Sequence, residues 1–346
     1  MTQQSSENLE TKYFFELTPE RILDAVEASG LRCTGRCLPL YCLENRVYEV
    51  ELEIDDPSTL NSPSERFRIV KFYRPGRWNQ AQLQEEHDFL LDLDKEEVPV
   101  APPEPFASGE TLHKLADVDI WYTVFKKVGG RTPYDLEPEE LLQVGRLLAR
   151  MHRIGAVKEA QHRIHLNPEV YGYKNLKYLL DNNLVPLDLQ SRYKSAVERI
   201  CEISTPWFEQ SKVQRIHGDA HRGNLLWREG SASWVDFDDM VVGPRVQDLW
   251  LLFPGNDPWN RQQRELMIEG YQQMSDFDRQ ELRLIEPLRA LRYLHFSTWI
   301  GKRWQDPAFP KVFTTYGTHA YWQEQVRDME DQLGLVQKVA RSEPIY

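Results

Sequence analysis

The sequence predicts an α+β protein with a small β-rich N-terminal lobe and a larger α-rich C-terminal lobe. Apolar and polar residues alternate through much of the first part, which is typical of strands, whereas helical spacing of apolar residues prevails afterwards. A Gly129-Gly130 pair follows the last strand-like segment of the first part and marks the change from strand-like to helical patterns. We therefore divide the 346 residues into lobes at 1–125 and 126–346.

The first lobe is expected to begin with a short helix and to continue into strands. Thr18 is a suitable N-cap because a proline follows it at the first helical position, and Gly30 is expected to end the helix. Alternation in residues 47–54 and 66–73 predicts two strands. The loop 55–65 between them is rich in Asp, Pro and Ser, which indicates a hairpin connection.

A longer helix and a third strand complete this lobe, and helices dominate the next one. Residues 79–97 place apolar side chains near one side of a helix, and residues 120–125 form a short, strongly apolar strand. The predicted elements of the second lobe are a helix at 138–153, strands at 225–227 and 234–237, and further helices within 261–336.

Composition and charge restrict the partners of the chain. The formal net charge of −12 argues against general nucleic-acid binding, which needs a basic surface. The four cysteines lack the spacing of a zinc site, so we interpret them as reduced thiols in strands. Residues 1–12 lack the apolar segment of a secretory signal, and no apolar stretch is long enough to span a bilayer. We expect a cytoplasmic monomer without nucleic-acid or membrane partners.

The segment HGDAHRGN at 217–224 carries the strongest chemical signal. It places Asp219 and Asn224 in one loop, and a short hairpin then returns Asp236 in the sequence DFDD. Phosphoryl transfer requires a carboxylate near the proton of the nucleophile and hard oxygen ligands for Mg²⁺. Each residue alone is as well explained by turn capping or solvation. Together they predict a phosphotransferase that uses ATP and Mg²⁺.

Lys71 is the second candidate, because it lies in the middle of an apolar strand. A buried lysine needs a carboxylate partner, since an unpaired buried charge is costly. Glu86 on the following helix is the expected partner, with Glu85 as the alternative. Paired in this way, Lys71 could hold the α- and β-phosphates of ATP. Taken by itself, it could also be an edge-strand lysine that reaches into solvent.

These residues occur in the order found in kinases, and the H-G-D form resembles the aminoglycoside phosphotransferase and choline kinase branch of the protein-kinase-like superfamily. Within that branch the sequence most resembles the bacterial stress response kinase A family of serine/threonine protein kinases. The resemblance covers about 47–313. It rests on the phrases ENRVY at 44–48, VKFYRP at 70–75, EEH at 85–87, VQDLW at 246–250 and DPAFP at 306–310.

The resemblance implies a bilobal protein-kinase-like fold and a role for each candidate. Asp219 would be the catalytic base that orients the acceptor hydroxyl, and Asn224 and Asp236 would bind Mg²⁺. Lys71 would hold the ATP phosphates, with Glu86 as its ion-pair partner. The lobe at 1–125 would bind nucleotide, and the lobe at 126–346 would carry catalysis and acceptor binding.

Three further expectations concern the surroundings of the site. The resemblance implies that Phe125 to Val128 form a hinge whose backbone groups bind adenine, and that Asp248 braces the catalytic loop by hydrogen bonds. The loop at 41–45, which would cover the phosphates, contains no glycine and so departs from a glycine-rich loop. His217 and His221 are expected to form hydrogen bonds around Asp219 rather than to bind a metal.

The family resemblance favours a Ser/Thr protein kinase. The alternative is a small-molecule kinase of the aminoglycoside, choline or homoserine type, which would phosphorylate a hydroxyl of a cationic metabolite. The short segment 236–248 keeps this alternative open, because it offers little room for an activation loop. A nucleotide-binding scaffold without activity is disfavoured by the complete set of candidates. The late aromatic residues are expected to pack in the core or line a groove, of which we favour the core, with an acceptor pocket as the alternative; they are Tyr293, His295, Phe296, Trp299 and Trp304.

Overall fold

The structure is a computed structural model that describes residues 14–342, and this part of the chain divides into two compact units. The first unit comprises the chain up to Asp135 together with Gly223–Asp238. The second comprises Leu136–Arg222 and the chain from Asp239 onward. These units are defined by packing, whereas the lobes at 1–125 and 126–346 are defined by their expected roles. The division into those two lobes therefore stays a prediction.

Helices and strands follow one another through both units. The strands are β1 (Cys33–Leu40), β2 (Arg46–Leu52), β3 (Phe67–Phe72), β4 (His113–Lys114), β5 (Trp121–Lys126), β6 (Val213–Ile216), β7 (Leu225–Arg228), β8 (Ser231–Trp234) and β9 (Val241–Pro244). The helices are α1 (Pro19–Glu27), α2 (Gln80–Lys95), α3 (Pro138–Gly155), α4 (Lys174–Asp181), α5 (Leu187–Gln210), α6 (Val246–Trp250), α7 (Pro258–Gln272), α8 (Ile285–Lys302), α9 (Ala308–Val312) and α10 (His319–Ala340).

The first unit is built on a five-stranded sheet in the order β1-β2-β3-β5-β4. All neighbouring strands are antiparallel, and Lys71 in β3 lies opposite Val47 in β2 and Thr123 in β5. One face of the sheet packs with α1 into an apolar core that includes Val50, Val70 and other fully buried side chains. The predicted α+β class is confirmed, with strands in the first part of the chain and helices in most of the rest.

Helix α2 begins where the sequence predicts it. Asn79 caps the helix by accepting a hydrogen bond from the Gln82 backbone, and the Gln82 side chain accepts one from the Asn79 backbone. This reciprocal capping satisfies two donors that the first turn would otherwise leave unpaired. The helix buries Leu83, Glu86 and His87. The capped start therefore determines the register of α2, which places Glu86 on the buried side of the helix.

The strand predicted at 234–237 is wrong in its position. Strand β8 ends at Trp234, and Asp236 has a φ of +61°, in the left-handed region that L residues rarely adopt. The backbone N–H of Val235 donates to the carbonyl of Asn224 at 3.0 Å instead of continuing the strand. The apolar alternation continues past the point where the backbone turns, and this explains the shift in the prediction.

The second unit contains most of the helices and a short antiparallel pair, β6 with β9. Helices α4 and α5 were not predicted from the sequence, although α5 is the longest helix in residues 14–342. Helix α5 packs against α10, where the rings of Tyr193 and Trp322 meet edge to face at 5.8 Å. None of the helices in residues 14–342 combines the length and the apolar character that a bilayer span requires.

All four cysteines are free thiols, as expected. Cys33 and Cys37 lie in β1, whereas Cys42 follows that strand and Cys201 lies in α5. The expectation that the thiols lie in strands therefore holds for two of them. Burial raises the pKa of Cys201 to about 12 and that of Cys33 to about 11, so both remain protonated at neutral pH.

Helices α3 and α7 pack backbone to backbone, because each has a glycine at the contact. A Cβ placed on Gly145 would lie 1.9 Å from the carbonyl oxygen of Met267, and a Cβ on Gly270 would lie 2.1 Å from that of Leu142. Real Cβ atoms do not approach backbone so closely, so either side chain would force the helices apart. By contrast, a Cβ on Gly334 in α10 would meet nothing within 4 Å.

Gly145→Ala is expected to lower the free energy of unfolding by about 1–3 kcal/mol, because the added methyl group overpacks the contact. The matched change Gly334→Ala should raise the free energy of unfolding by about 0.5–1 kcal/mol, since alanine has less backbone freedom to lose in an open helix position. Chemical denaturation of both variants beside the parent chain measures the two effects. Equal stabilities of the two variants would contradict the close approach of α3 and α7.

Candidate active site

The first unit encloses a cavity of about 460 Å³. Six of the predicted site residues line this cavity: Lys71, Glu86, Phe125, Val128, Asn224 and Asp236. They come from β3, α2, β5 and the residues just after it, and the chain around the β7–β8 hairpin. The cavity thus gathers side chains that lie far apart in the sequence.

Lys71 lines the cavity and is only 5% exposed. Its Nζ atom is 3.5 Å from Oε1 of Glu86, 3.1 Å from Oδ1 of Asp236 and 3.2 Å from Oδ1 of Asp238. Of the two partners considered from the sequence, Glu86 is the one that forms the ion pair. Tyr73 also holds Glu86 in place, because its hydroxyl donates to Oε1 at 3.3 Å.

The surrounding charges keep Lys71 protonated. Burial alone would lower the pKa of this amine, but the carboxylates of Asp238, Glu86 and Asp236 outweigh burial and raise its pKa well above the ordinary value. Lys71 is therefore a fixed positive charge at the wall of the cavity. A fixed cation in this position is suited to binding the phosphates of a nucleotide.

Asp238 and Arg77 also belong to this site, although the sequence did not identify them. Asp238 is buried and forms an ion pair with Arg77 in addition to its contact with Lys71. The sequence DFDD at 236–239 contains three carboxylates and so indicated that more than one could belong to the site. The spacing of these residues did not show that Asp238 would be buried. Arg77 lies shortly after β3 in the sequence, just beyond the phrase VKFYRP.

Side-chain contacts hold the loop at 41–45, which contains no glycine. Oδ1 of Asn45 accepts a hydrogen bond from the backbone N–H of Arg74 at 3.0 Å, and Nε of Arg74 donates to the carbonyl of Glu44 at 2.8 Å. Cys42 lines the cavity, and burial together with the charge of Asp236 raises the pKa of its thiol. The loop is thus anchored to the end of β3, and its anchoring does not depend on glycine.

The predicted hinge runs along the edge of the cavity. Strand β5 pairs with β3 as far as Lys126, which lies opposite Arg68. Val128 lies beyond this ladder, so its backbone groups are not engaged in the sheet. Chain leaving a sheet in this way can present backbone donors and acceptors to a ligand.

Asp219 belongs to the second unit, where one arginine and two imidazoles contact it. Its Oδ1 atom is 2.8 Å from Nη1 of Arg292, and its Oδ2 atom is 3.4 Å from Nε2 of His221. Its backbone N–H donates to Nδ1 of His217 at 3.3 Å. Both histidines therefore surround Asp219, as expected from the sequence. Arg292 was not identified there, because nothing in the spacing of α8 connects it with the loop at 217–224.

These neighbours control the charge of Asp219. Burial would raise the pKa of the carboxyl group, but the hydrogen bond from His221 and the positive charge of Arg292 lower it below the ordinary value. Asp219 is therefore ionised at neutral pH and accepts hydrogen bonds. A carboxylate in this state can orient a hydroxyl group for attack.

Asp248 braces the loop that carries Asp219, as predicted. Its Oδ2 atom accepts from the backbone N–H of His217 at 2.8 Å, and its Oδ1 atom accepts from that of Gly218 at 2.9 Å. His152 from α3 also contacts Oδ2 at 3.1 Å. Gly218 has a φ of +82°, and a Cβ on it would lie 2.2 Å from a backbone oxygen, so only glycine fits.

Asp248→Asn is expected to lower the free energy of unfolding by about 1–3 kcal/mol. An asparagine offers one oxygen and one N–H₂ group, so one of the two loop N–H groups would face a donor instead of an acceptor. Thermal and chemical unfolding measure the loss. Asp188→Asn is the matched control because Asp188 is largely exposed, and its effect should stay within about 0.5 kcal/mol. Equal effects of the two changes would contradict the bracing role.

The expectation that the late aromatic residues lie in the core is wrong for Phe296 and Tyr293. Phe296 is 47% exposed and Tyr293 is 37% exposed, and the other three are partly exposed. Phe296 and Trp299 stack on each other at 5.7 Å on one face of α8. The core side of this helix is filled by smaller residues such as Leu294 and Ser297, which are fully buried. Helical spacing alone did not show which face is turned inward.

Comparison with known proteins places this chain in a family. Residues 43–285 match the phosphotransferase enzyme family. The chain is 39% identical over 326 residues to stress response kinase A of Escherichia coli (strain K12), covering 94% of this chain and 95% of that protein. It is 38% identical over 320 residues to serine/threonine protein kinase RdoA of Salmonella typhimurium (strain LT2), covering 92% and 93%. A solved amicoumacin kinase, hAmiN, has a similar fold, with a TM-score of 0.67 at 19% identity and 94% of each chain covered.

The chain belongs to the phosphotransferase enzyme family and, within it, to the stress response kinase A kinases. The resemblance found in the sequence motifs is thereby confirmed, and so is the prediction of an enzyme rather than of an inactive scaffold. Similarity to solved kinases across almost the whole chain also agrees with the predicted kinase-like fold.

Proposed function

We propose that the protein is a serine/threonine protein kinase that transfers the γ-phosphoryl group of ATP in the presence of Mg²⁺. The observation that carries the proposal is the contact of buried Lys71 with Glu86 and Asp236 at the wall of one cavity. Phosphoryl transfer depends mainly on positioning and electrostatic stabilisation. A fixed cation can stabilise the charge of the phosphates, and the neighbouring oxygen atoms can bind Mg²⁺. The name of the relative from Salmonella typhimurium supports a protein acceptor.

The residues present fit a magnesium ion. Asn224 and Asp236 line the same cavity, and the side chain of Asp236 is half exposed toward it. In residues 14–342, no group of three or more His, Cys, Asp or Glu side chains is arranged to hold a metal. Mg²⁺ commonly binds to one or two protein oxygens and completes its shell with phosphates and water. Bound there, the ion would neutralise charge on the phosphates.

Each of the other candidates has a role in the proposed reaction. Lys71 binds the phosphate oxygens, and Glu86 holds the Lys71 amine in position. The backbone between Phe125 and Val128 binds the adenine ring. Asp219 accepts the hydrogen bond of the acceptor hydroxyl and takes its proton as the new P–O bond forms and the bond to ADP breaks.

The decisive experiment measures which acceptor receives phosphate. The purified full chain is incubated with γ-labelled ATP, with Mg²⁺ or with EDTA, and with either generic protein acceptors or a panel of amino alcohols. Mg²⁺-dependent label on Ser or Thr supports the proposal. Label on amino alcohols alone would establish the small-molecule alternative, and transfer that persists in EDTA would refute the role of Mg²⁺.

A further inference from the structure

Arg292 gives the surroundings of Asp219 a positive charge that faces solvent. It lies in α8, its side chain is 40% exposed, and its Nη1 atom contacts Oδ1 of Asp219 at 2.8 Å. In residues 14–342, this ion pair is the one polar contact that Arg292 makes with the protein. A guanidinium group carries five N–H donors in a planar fork, so one carboxylate does not saturate it. Arg292 therefore retains donors for a second anion.

Helix α8 offers almost no negative charge to a cationic ligand. Its single acidic residue is Glu286, which is 2% exposed. Glu286 is already engaged by Arg289 at 3.3 Å and by the side chain of Gln332. The other ionisable side chains along the helix are basic, apart from the phenol of Tyr293. The charge of Asp219 itself is balanced by Arg292, so this carboxylate would attract an ammonium group only weakly.

The loop before Asp219 adds no free carboxylate. Asp248, which contacts this loop, is fully buried and accepts from the backbone N–H groups of His217 and Gly218. His217 and His221 also contact Asp219, and neither side chain carries a negative charge. An ammonium group beside Asp219 would meet Arg292 at close range, and like charges in such proximity repel. A carboxylate or phosphate in the same place would pair with Arg292.

We propose that Arg292 selects acceptors that carry an anionic group next to the hydroxyl to be phosphorylated. The inference rests on the proposed role of Asp219, because the hydroxyl is held by Asp219 and the anion by the free side of the Arg292 fork. Two sources provide this chemistry: a Ser or Thr flanked by acidic residues in a protein, or a small hydroxy acid. Amino alcohols and basic peptides are the acceptors that the site disfavours.

Binding measurements with matched pairs of acceptors test the proposal. One pair consists of serine peptides that differ only in Asp and Glu versus Lys and Arg around the serine, and the other of a hydroxy acid and an amino alcohol. Affinities are measured by calorimetry with the full chain, Mg²⁺ and a non-hydrolysable ATP analogue. The anionic member should bind about tenfold more tightly in at least one pair, which is the size of one charge-assisted contact. The pair in which the anionic member binds more tightly shows whether the acceptor is a protein or a small hydroxy acid.

Variants of Arg292 separate recognition from a structural role. Arg292→Gln should abolish the preference, Arg292→Lys should retain part of it, and Arg292→Glu should reverse it. Arg327→Gln removes the same charge from an exposed position in α10 and should leave the preference intact. A substitution that only destabilised the fold would lower the affinity for both members of a pair equally.

Two results would overturn the inference: equal or stronger binding of the cationic member in both pairs, or a preference that survives in Arg292→Gln. The proposed function fails in a different way. If the acidic peptide binds more tightly through Arg292 but receives no label from γ-labelled ATP, the Ser/Thr kinase activity is refuted while the recognition by Arg292 stands.

Discussion

Asp219→Asn is expected to lower kcat by about 10²- to 10⁴-fold, which is the usual contribution of a positioned base to proton transfer. Asparagine has the same shape as aspartate, but its amide can neither take the proton of the acceptor hydroxyl nor balance the charge of Arg292. Nucleotide affinity should change little, because Lys71, Asn224 and Asp236 remain at the cavity of the first unit. The effect should therefore appear in kcat and not in the dissociation constant for ATP.

The measurement combines steady-state phosphate transfer with direct titration of nucleotide. Asp188→Asn serves as the control, since Asp188 is exposed and lies in α5. A variant at Asp219 that keeps kcat within about threefold of the parent chain, far below the effect expected for a base, would remove Asp219 from the mechanism. A loss of nucleotide binding in the same variant would instead indicate a structural role for the loop.

The pH dependence follows from the charge of Asp219. Because His221 and Arg292 lower the pKa of Asp219, the carboxylate stays ionised as the pH falls toward the ordinary aspartate value of about 3.9. An acidic limb of kcat between about pH 5 and 7 would therefore come from another group, such as a histidine with an ordinary pKa of about 6.5. Replacing Arg292 with Gln removes one cause of the lowering, so any limb that belongs to Asp219 should move to higher pH.

Much of the first unit could be predicted from the sequence, because its signals are local. Period-two alternation identified β2 and β3, and the same pattern showed that Lys71 lies in an apolar strand. The helical pattern of residues 79–97 located α2, and the spacing of its apolar residues placed Glu86 on the side that the structure buries. A partner one element away in the sequence can be found in this way, since each element fixes the direction of its own side chains.

Contacts between distant segments that no sequence motif links could not be predicted. Nothing in the sequence connects Arg292 with Asp219, or Arg77 with Asp238, because these pairs form only when separate elements pack together. The end of β8 was misplaced because the left-handed conformation of Asp236 interrupts an apolar pattern that continues in the sequence. Tertiary packing determined the ion pairs, and an unusual backbone angle determined the end of β8. Neither leaves a local signal in the sequence.

Lys71→Met is expected to lower the free energy of unfolding by about 3–5 kcal/mol and to abolish transfer. Methionine fills a similar volume, so the loss is electrostatic: Glu86 and Asp238 are buried, and with Asp236 they would face one another without the cation that now lies among them. Removing one partner of a buried ion pair leaves an uncompensated charge. Denaturant titration measures the change. Lys114→Met, at a half-exposed lysine of the same sheet, should have a small effect.

A second substitution separates the two roles of Lys71. Because the instability of Lys71→Met arises from repulsion among carboxylates, adding Glu86→Gln should restore part of the free energy of unfolding. It should restore none of the activity, because the phosphates would still lack their cation. If the double variant were no more stable than Lys71→Met, the carboxylates would not be the source of the instability. If the double variant transferred phosphate, Lys71 would not be the cation on which the reaction depends.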